Sequence, residues 1–209
     1  MFHIHTERSS DANLKIPELI DYIVKNKIDY FCVTDHHNFE ACRIIEEVLR
    51  RKEYKGKTHL IKGIEIKTEY GDVIPCFIKK EIKTRKFAEV VKETKKQKGL
   101  LIIPHPFVRH KKIKFLIKHV DGIEVHNASA LKFHNKKAQE LGARNPSLLK
   151  ISAVDAHCLN ELGNALNEIE IGKNVKINPI LCKNGGYFIL NLKHLAIHIF
   201  KTLESLFAR

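Results

Sequence analysis

The sequence predicts an α/β fold organised on a parallel sheet, and three observations carry that expectation. Short apolar runs of strand type alternate with segments of helical periodicity from the first residue onward. No Gly/Pro/Ser-rich linker or internal repeat interrupts the alternation. The C-terminal ends of the strand-type runs carry histidines and carboxylates, the pattern of a fold whose functional groups gather on one rim.

In order, Phe2 to His5 is a short strand, and Ile16, Leu19, Ile20, Ile23 and Val24 recur at helical spacing behind Pro17, a first-turn residue. Tyr30 to Thr34 is a strand, followed by a helix carrying Ala41, Cys42, Ile44, Ile45, Val48 and Leu49. Leu60 to Ile66 is strand-like, and Gly71-Asp72 is expected to turn into a strand over Val73 to Ile78. Phe87, Val90 and Val91 mark a helix, Leu100 to Ile103 a strand, Ile113 to Lys118 a short helix and Gly122 to His126 a strand. A helix over Phe133 to Leu141, a strand over Ile151 to Val154 and another over Glu168 to Ile171 complete the body. Such alternation fits either a closed barrel or an open, doubly wound sheet. The first strand is followed by neither GxGxxG nor a Walker loop, which weakens the nucleotide-binding open sheet. A final amphipathic helix is expected at about 191–208, with Leu192, Leu195, Ile199, Phe200, Leu203 and Phe207 on one face. Sealing the body or meeting a partner suits it better than lying on a membrane.

Composition narrows the class. The chain has 209 residues, is 44% hydrophobic and 29% charged, and contains 10 Gly and 6 Pro, the profile of a folded domain rather than a disordered or collagenous chain. One domain over residues 1–209 is expected. No stretch approaches the roughly 18 apolar residues of a membrane span, and the N-terminus lacks a signal-peptide pattern. Five cysteines, odd in number and without CxxC, argue for a reducing, cytoplasmic setting. The formal charge of +13 favours polyanions and phosphorylated molecules as partners, with a local concentration at Arg109-His110-Lys111-Lys112-Ile113-Lys114.

The chemistry gathers at strand ends. His3 and His5 are two apart, which on an extended strand places both on one side, and Glu124/His126 and Asp155/His157 share that spacing. Thr34-Asp35-His36-His37 follows one apolar strand, Glu65 ends another, and Pro104-His105-Pro106 follows a third. Neutral imidazoles mixed with carboxylates suit zinc, manganese or iron better than magnesium alone. A single histidine at a strand end is ordinarily a satisfied polar residue. His37, His59, His110, His119, His134, His194 and His198 are assigned to that ordinary role. Core packing gives no reason for HxH, TDH, PHP and DxH motifs to fall together at separate strand ends.

These motifs resemble the PHP (polymerase and histidinol phosphatase) superfamily of metal-dependent phosphoesterases. The resemblance spans roughly residues 1–171 and rests on His3-Ile4-His5-Thr6 with Ser10-Asp11, Thr34-Asp35-His36, Gly63-Ile64-Glu65, Pro104-His105-Pro106, Glu124-Val125-His126-Asn127 and Asp155-Ala156-His157. It implies a distorted (β/α)7 TIM-like barrel holding two or three divalent ions (Zn, Mn or Fe) at the C-terminal rim of its strands. By position, His3, His5 and Asp155 would hold a first ion, Glu65 would bridge to a second completed by His105 and His126, and Asp11, His36 and His157 would match a third. Asp35 and Glu124 would orient ligands. The expected substrate is a phosphomonoester, a nucleotide or an oligonucleotide end, with Asp155 or His157 protonating the leaving oxygen and Arg8, or less favourably Arg109, clamping phosphate. A non-catalytic barrel serving as a nucleic-acid-binding or assembly scaffold is the alternative, disfavoured because the full ligand set is present. A related hydrolase of carbon–nitrogen bonds is disfavoured because no lysine stands at a matching strand end. Two positions depart from the family pattern. Met1 stands where an Asp is usual, with the chain's own amino group as a possible substitute, and Ala12 stands where Gly is usual.

Overall fold

The computed structural model describes residues 1–172 and 174–183. The helix expected at about 191–208 lies outside the described residues. Among the described residues no helix is long and apolar enough to cross a membrane.

The chain opens on an extended segment in which Ile4 bridges both Val33 and Ala156 in parallel. The segment does not become a regular strand because His3 takes a positive φ of 67°, which breaks the extended geometry assumed from sequence. Helix α1 (Ile16–Lys25) follows, with Pro17 and Glu18 in its first turn and Lys25 in its last, the charge arrangement that suits the helix dipole. It buries Ile16, Leu19, Ile20 and Ile23. Strand β1 (Tyr30–Val33), helix α2 (Glu40–Leu49) and strand β2 (His59–Lys62) form a right-order β-α-β unit whose strands pair in parallel, Tyr30 opposite His59 and Val33 opposite Lys62.

The next region departs from the expected alternation. Strand β3 (Ile66–Thr68) and strand β4 (Gly71–Cys76) form an antiparallel hairpin, and β4 also runs antiparallel to β5 (Leu100–Ile103). A two-residue loop joins β3 to β4, too short for the crossover helix that a parallel pair requires. Helix α3 (Phe87–Lys96) precedes β5, and α4 (Ile113–Leu116) separates it from β6 (Gly122–Asn127). Helix α5 (Lys132–Arg144) leads to β7 (Leu149–Ala153), and β5, β6 and β7 are parallel. A short 3-10 turn, Leu159–Glu161, precedes β8 (Ala165–Ile171). β8 turns back as an antiparallel hairpin into β9 (Val175–Cys182), a strand the periodicity did not predict.

The fold is therefore mixed α/β. Its strands form three sheets, β1-β2, β3-β4-β5-β6-β7 and β8-β9, rather than one continuous hydrogen-bonded barrel. Single bridges join the margins of the first two: Ile4 to Val33 and Ala156, and Gly63 to Cys76. A core of Ile4, Leu14, Leu19, Ile23, Phe31, Val33, Ile45, Ile64, Ile66 and Ile103 fills the space between the sheets and helices. Each such side chain contributes roughly 1.5–3 kcal/mol by leaving water. These strands bring the segments just past the ends of β1, β2, β5 and β7 to one place beside Glu124 of β6, with His36 and Glu65 bridged directly.

Candidate metal centre

Four ligand-type atoms converge beneath the surface. His3 Nε2 stands 3.0 Å from His5 Nε2, 3.1 Å from Glu65 Oε2 and 3.3 Å from Asp155 Oδ1. His5 Nε2 lies 3.2 Å from Glu65 Oε2 and 3.5 Å from Asp155 Oδ1. Ligands placed tetrahedrally at metal–nitrogen and metal–oxygen bonding distances stand about 3.4 Å apart. The spacing is that of a coordination shell.

A second group adjoins it. His36 Nε2 and His157 Nε2 lie 3.1 and 3.5 Å from Asp11 Oδ2, and His36 Nδ1 lies 3.4 Å from Glu65 Oε2. On the other side, His105 Nε2 is 3.2 Å from Glu65 Oε1. Glu65 thus touches His3, His5, His36 and His105 with its two oxygens. Gly63 makes this approach possible: a Cβ there would lie 3.1 Å from Thr34 Cγ2 and 3.2 Å from both Cys32 Sγ and the Val33 carbonyl oxygen.

The surrounding hydrogen bonds fix which ring nitrogen of each histidine is free. Glu124 Oε1 sits 2.7 Å from His3 Nδ1, so that nitrogen donates and Nε2 is the one that faces the cluster. Glu124 Oε2 accepts from the backbone N–H of His105 at 2.8 Å and from Asn127 Nδ2 at 2.9 Å. Asp35 does not reach the cluster. It accepts from the Thr6 N–H at 2.6 Å, the Thr6 hydroxyl at 2.8 Å and the Ser9 hydroxyl at 3.0 Å. With its proton committed to Asp35, Ser9 Oγ accepts from the His36 N–H at 2.9 Å and faces His5 Nδ1 at 3.3 Å, which leaves His5 Nε2 as the nitrogen that a cation would meet on displacing its proton. His157 Nδ1 donates to the Asp155 carbonyl oxygen at 3.1 Å, with the same consequence for its Nε2.

Backbone and charge mark the same place. His3, His105 and Asp155 have φ of 67°, 28° and 49°, left-handed values that cost of order 1–3 kcal/mol for side chains of this kind and persist where function requires them. Burial works against a charged His3, yet Asp155, Glu124 and Glu65 hold its pKa well above 6.5. His5 is similarly opposed by burial and raised to about 10 by Asp155 and Glu65, and His105 is raised to about 9, chiefly by Glu65. In the same way burial would raise Glu65 and Asp155, but the surrounding imidazoles hold both well below the usual carboxylate range. Asp11 is lowered too, by His157 and His36, against its own burial. In this donor set Asp11 Oδ1 and His105 Nδ1 are buried without hydrogen-bond partners among the described residues. Unspent donor atoms and ligand spacing both fit divalent cations.

Four close groups of ligand atoms result: His5, Asp11, His36 and His157; His3, His5 and Glu65; His3, His105 and Asp155; and Glu65, Asp72 and His105. The structure brings together eight of the residues singled out from sequence as ligands. His126 is buried at the end of β6, beyond a bulge at Val125 that breaks the two-residue alternation, and belongs to none of these groups. Arg8 is directed elsewhere: its guanidinium lies 3.5 Å from Glu40 at the surface, a pair of exposed side chains. Arg109 is exposed as well. The Met1 amino group donates to the Tyr30 carbonyl oxygen at 2.7 Å and so ties down β1 instead of orienting a histidine. Two residues escaped the sequence reading. Ser9 stands one position before the Ser10-Asp11 pair. Asp72 was assigned to a turn, and only the register of the β3–β4 hairpin relates it to Glu65.

Comparison with known proteins agrees with this geometry. The PHP domain model matches residues 2–145. The chain belongs to the PHP domain family. Its relatives include an uncharacterized protein of Methanocaldococcus jannaschii, 30% identical over an alignment 140 residues long that covers 60% of this chain and 80% of that one. Among solved structures, the fold is shared with a two-domain protein of Bacteroides vulgatus described as containing a predicted PHP-like metal-dependent phosphoesterase (TM-score 0.61, 19% identity). That match covers 77% of this PHP chain and 52% of the larger protein, so this chain spans about half its length. PsfC from Pseudomonas syringae superposes over 96% of this chain and 97% of its own, with a TM-score of 0.65 and 15% identity.

Proposed function

We propose that this PHP protein is a metal-dependent phosphoric ester hydrolase acting on a phosphomonoester, a nucleotide or an oligonucleotide end. The observation that carries the reading is the convergence of His3, His5, Glu65 and Asp155 at ligand spacing in a place nearly closed to water. Burying so many ionisable groups costs several kcal/mol that their mutual pairing only partly offsets, and a scaffold has no use for such a group. His3, His5, Glu65 and Asp155 would hold one ion, Asp11, His36 and His157 a neighbouring one, and Glu65 with His105 another. When bound, such ions supply an acidified water and neutralise charge on phosphate oxygens.

The protein's own groups do the remainder. Glu124, Ser9 and the Asp155 carbonyl hold the three imidazoles in one orientation each, with Nε2 aimed inward. Of the two candidates for protonating the leaving oxygen, His157 is the better: the surrounding imidazoles hold Asp155 ionised and its Oδ2 accepts from Asn127 Nδ2 at 3.1 Å, whereas His157 can carry a proton on Nε2, which lies 3.5 Å from Asp11 Oδ2. The net charge of +13 draws phosphorylated substrates toward the surface. The single bridges at Ile4 and Gly63 support taking the β1-β2 and β3-β4-β5-β6-β7 sheets as arcs of a distorted barrel within one domain, and the free cysteines support a cytoplasmic setting.

The test is metal analysis of the purified protein, then turnover on phosphomonoesters, nucleoside bisphosphates and short oligonucleotides. The expected result is bound transition metal and hydrolysis that chelation removes and added Zn²⁺ or Mn²⁺ restores. Protein that binds no metal and hydrolyses none of the three classes under any supplement overturns the proposal.

A further inference from the structure

We propose that Asp72 is a direct metal ligand, completing with Glu65 and His105 an oxygen-rich cation position distinct in chemistry from the histidine-rich remainder of the centre. This deepens the metal-dependent reading above and rests on it. The ligand atoms of Glu65, Asp72 and His105 all lie within 4.8 Å of one another.

The register of one hairpin explains the juxtaposition. Ile66 pairs with Val73 and Lys67 with Asp72, while the Gly63–Cys76 bridge and the bond from the Ile64 N–H to the Pro75 carbonyl oxygen continue the same ladder back past Glu65. Glu65 and Asp72 are therefore diagonal neighbours on one face of the pair, within reach of each other's side chains. The hairpin is rigid at this end. Thr68 Oγ1 donates to the Gly71 carbonyl oxygen at 2.7 Å and accepts from the Tyr70 N–H at 3.2 Å. His110 then braces Asp72 from the other side, its Nε2 2.7 Å from the Asp72 carbonyl oxygen and its Nδ1 2.9 Å from that of Val108. Gly71 is obligatory for this brace: its φ is 123°, and a Cβ there would meet His110 Cδ2 at 2.7 Å. The residue that spans from hairpin to loop, His110, is five positions beyond His105, so the brace sets Asp72 and His105 relative to each other. Meanwhile His105 Nδ1 is buried without a partner among the described residues.

The donor chemistry divides the centre. His5, His36 and His157 with Asp11 form a nitrogen-rich group suited to Zn²⁺, whereas two carboxylates and one imidazole suit Mn²⁺. An ordinary cross-strand carboxylate opposite Lys67 is the competing role for Asp72. The two roles separate in a titration of full-length protein stripped of metal. Free Mn²⁺ is followed by electron paramagnetic resonance and Zn²⁺ by competition with a chromophoric chelator, for wild type, Asp72→Asn and Lys67→Met.

Direct ligation requires that Asp72→Asn weaken Mn²⁺ binding at least tenfold and leave the tightest Zn²⁺ event within threefold, with Lys67→Met unchanged for both. Mn²⁺ binding by Asp72→Asn within threefold of wild type overturns the inference, as does a Lys67→Met variant that reproduces the Asp72→Asn loss. A measurement free of any folding defect in the variant is the anomalous signal of Mn²⁺ in wild-type crystals: a peak at bonding distance from an Asp72 carboxylate oxygen supports the inference, and a peak at His105 but away from Asp72 overturns it. Wild-type protein that binds neither ion overturns the proposed function itself, whereas Zn²⁺ binding with an unaltered Mn²⁺ affinity in Asp72→Asn removes only the role of Asp72.

Discussion

Glu124→Gln is the sharpest probe of the centre because it changes one atom and leaves shape alone. Three donors face the two oxygens of Glu124: His3 Nδ1 on Oε1, and the His105 N–H and Asn127 Nδ2 on Oε2. A glutamine offers a single oxygen. Turned toward His105 and Asn127, it sets its NH2 against His3 Nδ1, and His3 can answer only by moving its proton to Nε2, the atom aimed at Glu65 and Asp155. Turned the other way, it sets the NH2 against two donors in a place where Glu124 is 1% exposed and water cannot intervene. Loss of an orienting carboxylate behind a ligating histidine lowers metal affinity about 10- to 100-fold, which is about 1.4–2.7 kcal/mol. The assay is competition for Zn²⁺ against a chromophoric chelator at fixed pH, with circular dichroism to show that the fold survives. Glu46→Gln, which alters only outlying contacts with Lys62 and Arg50, serves as the control and keeps wild-type affinity. An affinity within threefold of wild type for Glu124→Gln refutes the assignment of His3 as a ligand held by Glu124.

Turnover by His105→Ala and Asp155→Ala is expected to fall below detection while their far-ultraviolet circular dichroism stays that of wild type; a rate near wild type in either removes that residue from the site. Metal affinity should climb between pH 7 and pH 9, by up to about tenfold per pH unit for each proton displaced, because the metal-free centre holds His5 and His105 protonated to about 10 and about 9. Chelator competition at several pH values checks this, and a flat profile contradicts it. In the metal-free protein the sign for stability follows from the same shifts. The raised pKa of His5 contributes stability that is full below pH 6.5 and lost as pH rises through about 10. The lowered pKa values of Glu65 and Asp155 contribute stability present above the ordinary carboxylate range and lost as pH falls through their depressed values. Thermal melting of chelated protein should therefore peak in mildly acid solution and decline toward pH 10, and a melting temperature that rises over that alkaline range would count against it. Gly63→Ala, forced to within 3.1–3.2 Å of Thr34, Cys32 and Val33, should destabilise the protein by about 1–3 kcal/mol in denaturant unfolding; an unchanged midpoint would show that the strand ends have room to move.

Much of the centre is legible in the chain because its ligands lie in short motifs at the ends of apolar runs. His3/His5 and Asp155/His157 are visible as motifs two residues apart, although the positive φ of His3 and of Asp155 departs from the extended geometry that spacing assumed, and Pro104-His105-Pro106 directly follows the run Leu100 to Ile103 that became β5. The helices α1, α2 and α3 follow from their apolar spacing, since an amphipathic face has one way to be buried. Where local signals ran out, they did so for definite reasons. A run such as Val73 to Ile78 has the same hydrophobic pattern whether its strand runs parallel or antiparallel, so the reversal of β4 was invisible. Arg8 has the charge of a phosphate clamp, but that its guanidinium rests 3.5 Å from Glu40, 32 positions away, is not written in its local sequence.

By itself the sequence determined the alternation of elements, the kinds of donor atoms available and the family to which they belong, because periodicity and residue chemistry are local properties. Only the tertiary structure decided that Glu65 is shared among four imidazoles, that Glu124, Ser9 and the Asp155 carbonyl choose the tautomer of each neighbouring histidine, and that Asp72 faces Glu65 across a hairpin. Strand direction, register and hydrogen bonds such as that from the Ala156 N–H to the His3 carbonyl oxygen, 153 positions away, are set by which surfaces meet when the chain closes on its core, and no window of sequence contains them.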